Sequence, residues 1–145
     1  MAVEEEPLDS ATDWVAQHTR RYVETNGQEG HEWRGVQTLV LTTTGRKSGK
    51  QRRNALIYGR DSENYLVVAS KGGAAKHPLW YLNLQADPNV NVQVEAQKFA
   101  ARARTASAEE KPRLWAKMTE IWPAYNDYQA KTERNIPIVV LQPVR

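Results

Sequence analysis

Six short runs of β-branched and apolar residues, parted by turn-forming residues, limit this chain more than any other feature. They are Val36 to Thr43, Asn54 to Arg60, Tyr65 to Ser70, Val90 to Val94, Phe99 to Ala103 and Ile136 to Leu141. Each has the length of a strand and is too short for a core helix. Val90, Val92 and Val94 alternate with polar residues, as on a half-exposed sheet face. Asp61 to Asn64 is a turn-rich tetrad, and Ala96-Gln97-Lys98 reads as a hairpin tip. The pattern predicts a mainly β fold with flanking helices (α+β), with about six antiparallel strands in a barrel or meander rather than a doubly wound parallel sheet.

The helices are few. Ser10 followed by Asp13 marks a start, and Trp14, Val15, Tyr22 and Val23 form a stripe ending near Asn26-Gly27. Arg20 and Arg21 interrupt that stripe, which predicts a surface helix. His77-Pro78 opens a short helix, with His77 as its cap and Leu79, Leu82 and Ala86 on one side. Ser107 and Glu110 have capping-box spacing ahead of Leu114, Trp115, Met118 and Ile121, and Pro123 breaks the run.

At 145 residues the expectation is a flexible stretch over 1–9 and a single domain over 10–145. There is no cysteine, which excludes disulfides, thiol nucleophiles and thiolate metal sites together. His18, His31 and His77 lack ligand spacing, so no metal is expected. No run of about 18 apolar residues occurs, and the start is acidic through Glu4 to Glu6 rather than basic and then apolar. A cytoplasmic protein is expected. Glu4 to Glu6 weigh against adhesion to an anionic leaflet, and weak peripheral contact with the inner face of the membrane stays open, as does the oligomeric state.

Twenty Lys and Arg against 17 Asp and Glu give a net charge of only +3, so distribution matters more than sum. Arg46, Lys47, Lys50, Arg52 and Arg53 crowd one turn without an acidic residue among them. Two glycines, Gly45 and Gly49, would let the backbone bring N–H groups to a ligand oxygen. The spacing is not that of a P-loop: three residues separate the glycines, and Gln51 follows Lys50. Ser70-Lys71-Gly72-Gly73 offers a second anion-friendly turn, leaving a strand and leading toward a helix N-terminus. Two such elements favour one shared anionic ligand over two solvated tips. A recognised nucleic-acid motif is absent and the cations cluster rather than form a stripe, so no nucleic-acid partner is expected.

Leu41-Thr-Thr-Thr-Gly-Arg-Lys-Ser-Gly, Ala69-Ser-Lys-Gly-Gly, Pro78-Leu-Trp-Tyr-Leu-Asn-Leu, Tyr125-Asn-Asp-Tyr and Ile136-Pro-Ile-Val-Val stand in one order across residues 36 to 142. In these blocks the chain resembles the deazaflavin-dependent nitroreductase and quinone reductase family. The resemblance implies a split β-barrel that binds coenzyme F420, a deazaflavin with a phosphodiester and an oligoglutamate tail. It implies that Arg46, Lys47, Arg52 and Lys71 hold phosphate and tail, with the Gly72-Gly73 turn beside Lys71. Leu56, Ile57, Ala69 and Ser70 would face the ring system, and Pro78, Leu79 and Trp80 would lie beside it. Trp122, Tyr125 and Tyr128 would line the substrate side, with Tyr125 and Ser70 as the catalytic pair and Tyr125 the leading proton donor. The implied reaction is hydride transfer from reduced coenzyme F420 to a small-molecule acceptor.

Ile57 and Trp122 depart from tyrosines common in the family. Gln51 and Ala55 stand where proline is common, and Arg53 where a small apolar residue is. Quinones and activated alkenes therefore stand beside nitroaromatics as acceptors. A flavin mononucleotide oxidoreductase of the same barrel type and a non-catalytic polyanion-binding module are the competing readings.

Overall fold

The computed structural model describes Leu8–Asp9 and residues 13–144. Of the flexible stretch expected over 1–9, Leu8–Asp9 is instead a strand paired with Arg52 and Arg53, while residues 1–7, the cap Ser10 and the side chains of Trp14 and Val15 lie outside the described residues. In chain order the elements are β1 (Leu8–Asp9), α1 (Asp13–Glu24), β2 (Glu32–Trp33), β3 (Val36–Thr44), β4 (Gln51–Ile57), β5 (Gly59–Asp61) and β6 (Asn64–Val68). A single 3-10 turn at Lys71–Gly73 follows, then α2 (Leu79–Ala86), β7 (Asn89–Val94), β8 (Gln97–Thr105), α3 (Lys111–Ile121), α4 (Ala124–Ala130) and β9 (Ile138–Pro143). The strands form one mostly antiparallel half-barrel, ordered β1-β4-β3-β7-β8-β9-β6-β5, with β2 paired to β3. β4 and β6 thus approach each other from opposite margins of the sheet, and no ladder joins them.

Nine strands replace the expected six or so. β1 and β2 are two residues long, and the run from Asn54 to Arg60 divides. β4 stops at Ile57, and β5 restarts at Gly59, where the chain passes so close to α3 that a Cβ would stand 2.6 Å from the Met118 sulfur. β4 also begins earlier than expected, because Arg52 and Arg53 pair with Thr43 and Thr42 in the β3 ladder. The β7–β8 tip is Glu95-Ala96, one residue earlier than read from sequence.

β6 and β9 are buried on both faces, which explains their unbroken apolar runs. Val67, Val139 and Leu141 face a core shared with Leu39, Leu41, Trp80, Tyr81 and Val92. Leu66, Ile138 and Val140 face a second core under α3 and α4, with Leu114, Met118 and Tyr125. Leu114 and Met118 are fully buried, each contributing about 1.5–3 kcal/mol by leaving water. Ser107 and Glu110 make the two reciprocal capping bonds, Glu110 N–H to Ser107 Oγ at 3.3 Å and Ser107 N–H to Glu110 Oε1 at 2.8 Å. Pro123 separates α3 from α4, as expected.

Two helix readings need correction. α1 does not simply lie on the surface: Tyr22 is fully buried, donating to the Thr38 carbonyl at 2.9 Å and accepting the Glu95 N–H at 2.7 Å. Burial pushes its phenol up to about 12. In α2 the buried face is Trp80, Tyr81, Asn83 and Leu84, whereas Leu79 is 67% exposed. The turn that precedes α2 sets this phase. Pro78 caps the helix in extended conformation, and His77 makes no cap bond.

Candidate active site

The seam between β4 and β6 opens into a cleft of about 1200 Å³. Its floor and walls come from β4, the β3–β4 turn, the end of β6 with the Lys71 turn, α2, the α3–α4 junction with α4, and the β2 hairpin, with His18 of α1 and Thr38 of β3 also reaching it. Of the residues expected from sequence, Arg46, Lys47, Arg52, Leu56, Ile57, Ser70, Lys71, Gly72, Pro78, Leu79, Trp80, Trp122, Tyr125 and Tyr128 all line it. The cleft thus joins segments that are distant in sequence.

Ala69 and Gly73 do not line the cleft. Ala69 is fully buried in the inner core. Gly73 is buried against α4, where a Cβ would stand 2.6 Å from the Tyr128 carbonyl oxygen, and its φ of 86° suits glycine. Both shape the turn that presents Ser70, Lys71 and Gly72.

The β3–β4 turn and the Lys71 turn give the cleft two cationic walls. Arg46, Lys47, Arg52 and Lys71 are exposed, and none forms an ion pair among the described residues. The backbone of the basic turn offers less than expected. Gly45 N–H goes to the Lys50 carbonyl at 2.7 Å, Gly49 N–H to the Gly45 carbonyl at 2.8 Å, and Lys50 N–H to Ser48 Oγ at 3.2 Å. Arg46 N–H donates to Asn83 Oδ1 at 3.1 Å, and Asn83 Nδ2 donates to Thr43 Oγ1 at 3.3 Å. Of this turn's amides, only Lys47 and Ser48 N–H have no protein acceptor among the described residues, and the side chains carry most of its positive field. At the start of α2, Leu79 and Trp80 N–H likewise have no protein acceptor among the described residues, and the positive end of the helix adjoins the cleft.

Sequence reasoning missed the residue that holds the Lys71 turn. Arg134 donates from Nε to the Ala74 carbonyl at 2.8 Å and from Nη2 to the Ser70 carbonyl at 2.8 Å. Its Nη1 reaches the Ala69 carbonyl at 3.1 Å and His77 Nδ1 at 3.2 Å. Burial, and then the neighbouring Arg134 charge, hold the His77 imidazolium below its usual pKa, consistent with Nδ1 as an acceptor. The expected cap residue is thus a fastening for the turn. Its ring also packs on Tyr81, with centroids 4.8 Å apart.

The wall formed by α4 and the α3–α4 junction is aromatic. Tyr125 is 4% exposed, and its hydroxyl has no hydrogen-bond partner among the described residues. Burial, with a smaller contribution from Tyr128, pushes its phenol well above the ordinary range, so it stays protonated. Trp122 Nε1 donates to Tyr128 Oη at 3.4 Å, which orients both rings. Ser70 is 8% exposed, with its carbonyl locked by Arg134 and by Gly73 N–H at 2.9 Å. His18, Trp33, Arg34, Asn54 and Asn83 also line the cleft, and sequence reasoning did not select them for it. No helix of the described residues is long and apolar enough to cross a membrane.

A phosphodiester with a carboxylate-rich tail fits these cationic walls, where four side chains present charge that no carboxylate among the described residues pairs with. A flat heterocycle fits the apolar stretch between Leu56, Ile57, Pro78 and Trp80. Comparison with known proteins agrees. The model of the F420H(2)-dependent quinone reductase family matches residues 14–143. An F420H(2)-dependent quinone reductase of Mycobacterium tuberculosis (strain ATCC 25618 / H37Rv) is 41% identical over 128 residues, covering 86% of each chain. A solved F420-H2 dependent reductase superposes with a TM-score of 0.67 at 40% identity, covering 72% of this chain and 93% of that one. Another solved structure, described as a domain-swapped dimer, reaches 0.71 at 39% identity over 92% of this chain and all of its own. The chain therefore belongs to the F420H(2)-dependent quinone reductase family, and is an oxidoreductase whose hydride donor is reduced coenzyme F420.

Proposed function

We propose that this cleft reduces a quinone, with Arg46, Lys47, Arg52 and Lys71 holding the phosphate and tail of the cofactor. When bound, reduced coenzyme F420 supplies a hydride from C5 of its deazaflavin ring. Leu56, Ile57, Pro78, Leu79 and Trp80 flank the ring and keep water from it. Trp122, Tyr125 and Tyr128 form the wall against which the acceptor lies. The observation that carries this reading is the union, in one cleft, of four cations outside any ion pair and a buried tyrosine whose hydroxyl has no protein partner among the described residues.

Reduction of a quinone to a quinol takes one hydride and one proton. Tyr125 is the proton donor in this reading, with Ser70 positioned beside the ring. A phenol kept neutral by burial can donate without competition from its own ionisation. Because its folded pKa is raised, the donor form persists as pH rises, and kcat should show no alkaline limb until above the ordinary tyrosine value of about 10. Tyr125→Phe should lower kcat by about 10²-fold while sparing the KM for the reduced cofactor. Full turnover by that variant across pH and across several quinones would remove the role.

Oxidation of reduced coenzyme F420, followed at its absorbance with and without a naphthoquinone, tests the reaction itself. Replacing Arg46, Lys47 and Lys71 together with alanine should weaken cofactor binding by about tenfold or more, since three exposed charge pairs are each worth up to about 1 kcal/mol.

A further inference from the structure

One hairpin at the cleft is built against its own backbone preference. Two residues, Arg34 and Gly35, join β2 to β3, with Trp33 paired to Val36. Both have positive φ, 49° and 82°, the pattern of a type I′ turn. Glycine, asparagine and aspartate serve such positions best, and a long side chain in the left-handed region is uncommon. Arginine stands there nonetheless. Strain of this kind, where it persists, points toward a use for the side chain.

The side chain has a defined place. Its guanidinium carbon lies 4.8 Å from the centre of the Trp33 ring, and Trp33 meets Trp122 with ring centres 5.5 Å apart. All three line the cleft, in the region of Tyr125 and Tyr128. Arg34 is exposed and forms no ion pair among the described residues. It also lies at the other end of β3 from Arg46 and Lys47. The nine residues of β3 separate it from the turn bearing Arg46 and Lys47, roughly 26 Å at about 3.3 Å per residue. A guanidinium this far along β3 does not belong with the cations of the β3–β4 turn.

We propose that Arg34, Trp33 and Trp122 form an acceptor subsite for a flat aromatic molecule carrying an acidic substituent, a carboxylate or sulfonate, on its ring. The ring packs on the indoles, and the substituent meets a guanidinium already oriented by stacking, whose planar fork suits such a group. This narrows the acceptor class proposed above and rests on that reading. Discrimination then lies in the β2 hairpin, outside the groups that bind the cofactor or move the proton.

The test compares 2-methyl-1,4-naphthoquinone with 1,4-naphthoquinone-2-sulfonate on the cofactor-loaded enzyme. Arg34→Gly removes the guanidinium while relieving the turn, so its Tm should equal or exceed the parent's. The ratio of kcat/KM, sulfonated over neutral quinone, should fall by about tenfold or more in Arg34→Gly, chiefly through KM, and Arg34→Lys should keep part of it. Equal change for both quinones, or a change confined to the KM for the reduced cofactor, overturns the proposal. Calorimetric titration of the sulfonate into protein loaded with oxidised cofactor reads the subsite without turnover. An unchanged Kd in Arg34→Gly overturns it as well. If the parent binds the sulfonate through Arg34 yet reduces neither quinone, the subsite stands and the proposed reaction falls.

Discussion

Arg134 shows how a single side chain can decide the shape of a binding turn. Its donors satisfy carbonyls at Ser70, Ala69 and Ala74, all more than 55 residues away in sequence. Lysine cannot reproduce that fork, because its ammonium is a point charge on a flexible stem. Arg134→Lys and Arg134→Gln should each lower stability by about 2–4 kcal/mol in denaturant titration. They should also raise the KM for the reduced cofactor while leaving the KM for the acceptor nearly unchanged. Gly73→Ala should act on the same turn from its other side, since the new Cβ meets backbone rather than a yielding side chain. The Thr132-Glu133-Arg134-Asn135 stretch gives no hint of this in sequence, where it looks like a solvated mixed-charge loop. Arg46, Lys47 and Lys71 were legible because like charges crowded beside glycines repel one another unless an anion joins them. A lone arginine that spends its donors on distant carbonyls leaves no local pattern.

Among the elements, those fixed by neighbours in sequence were the legible ones. The Ser107–Glu110 box, the alternation in β7 and the break at Pro123 depend on residues within a turn of each other. α1 was misjudged because Tyr22 reads as an ordinary stripe residue, whereas its hydroxyl ties together β3 and the Glu95 turn. Tyr22→Phe should leave the Glu95 N–H without its acceptor and cost about 1–3 kcal/mol, measurable as a lower Tm. The β5–α3 connection depends on pH. Hydrogen bonds from Arg113, and then Lys117, hold the Asp61 carboxyl well below the usual carboxylate range. A depressed folded pKa contributes stability above the unfolded value of about 3.9 and loses it as pH falls below that. Asp61→Asn should therefore flatten the acid limb of the stability profile between about pH 4 and 2, with only a small effect at neutral pH, because solvent screens exposed pairs.

For the whole molecule, charge is distributed unevenly although the net is small, with Arg46, Lys47, Arg52 and Lys71 all at the cleft. With these cations exposed, affinity for the cofactor should fall as ionic strength rises from about 0.05 to about 0.5 M, while affinity for a neutral quinone changes little. The fold class was readable because strand length and turn spacing suffice to exclude a parallel doubly wound sheet. Which margins of the sheet face each other was not, since that depends on packing between β4 and β6 rather than on either run alone. Their lack of a ladder has a consequence for the life of the polypeptide. A barrel whose wall is finished by a guest holds shut only while the guest is present, so loading should slow amide exchange along Gln51–Ile57 and Asn64–Val68 and add about 2.7 kcal/mol at a hundredfold excess over Kd. Scarcity of coenzyme would then shorten survival against proteases as well as halt turnover.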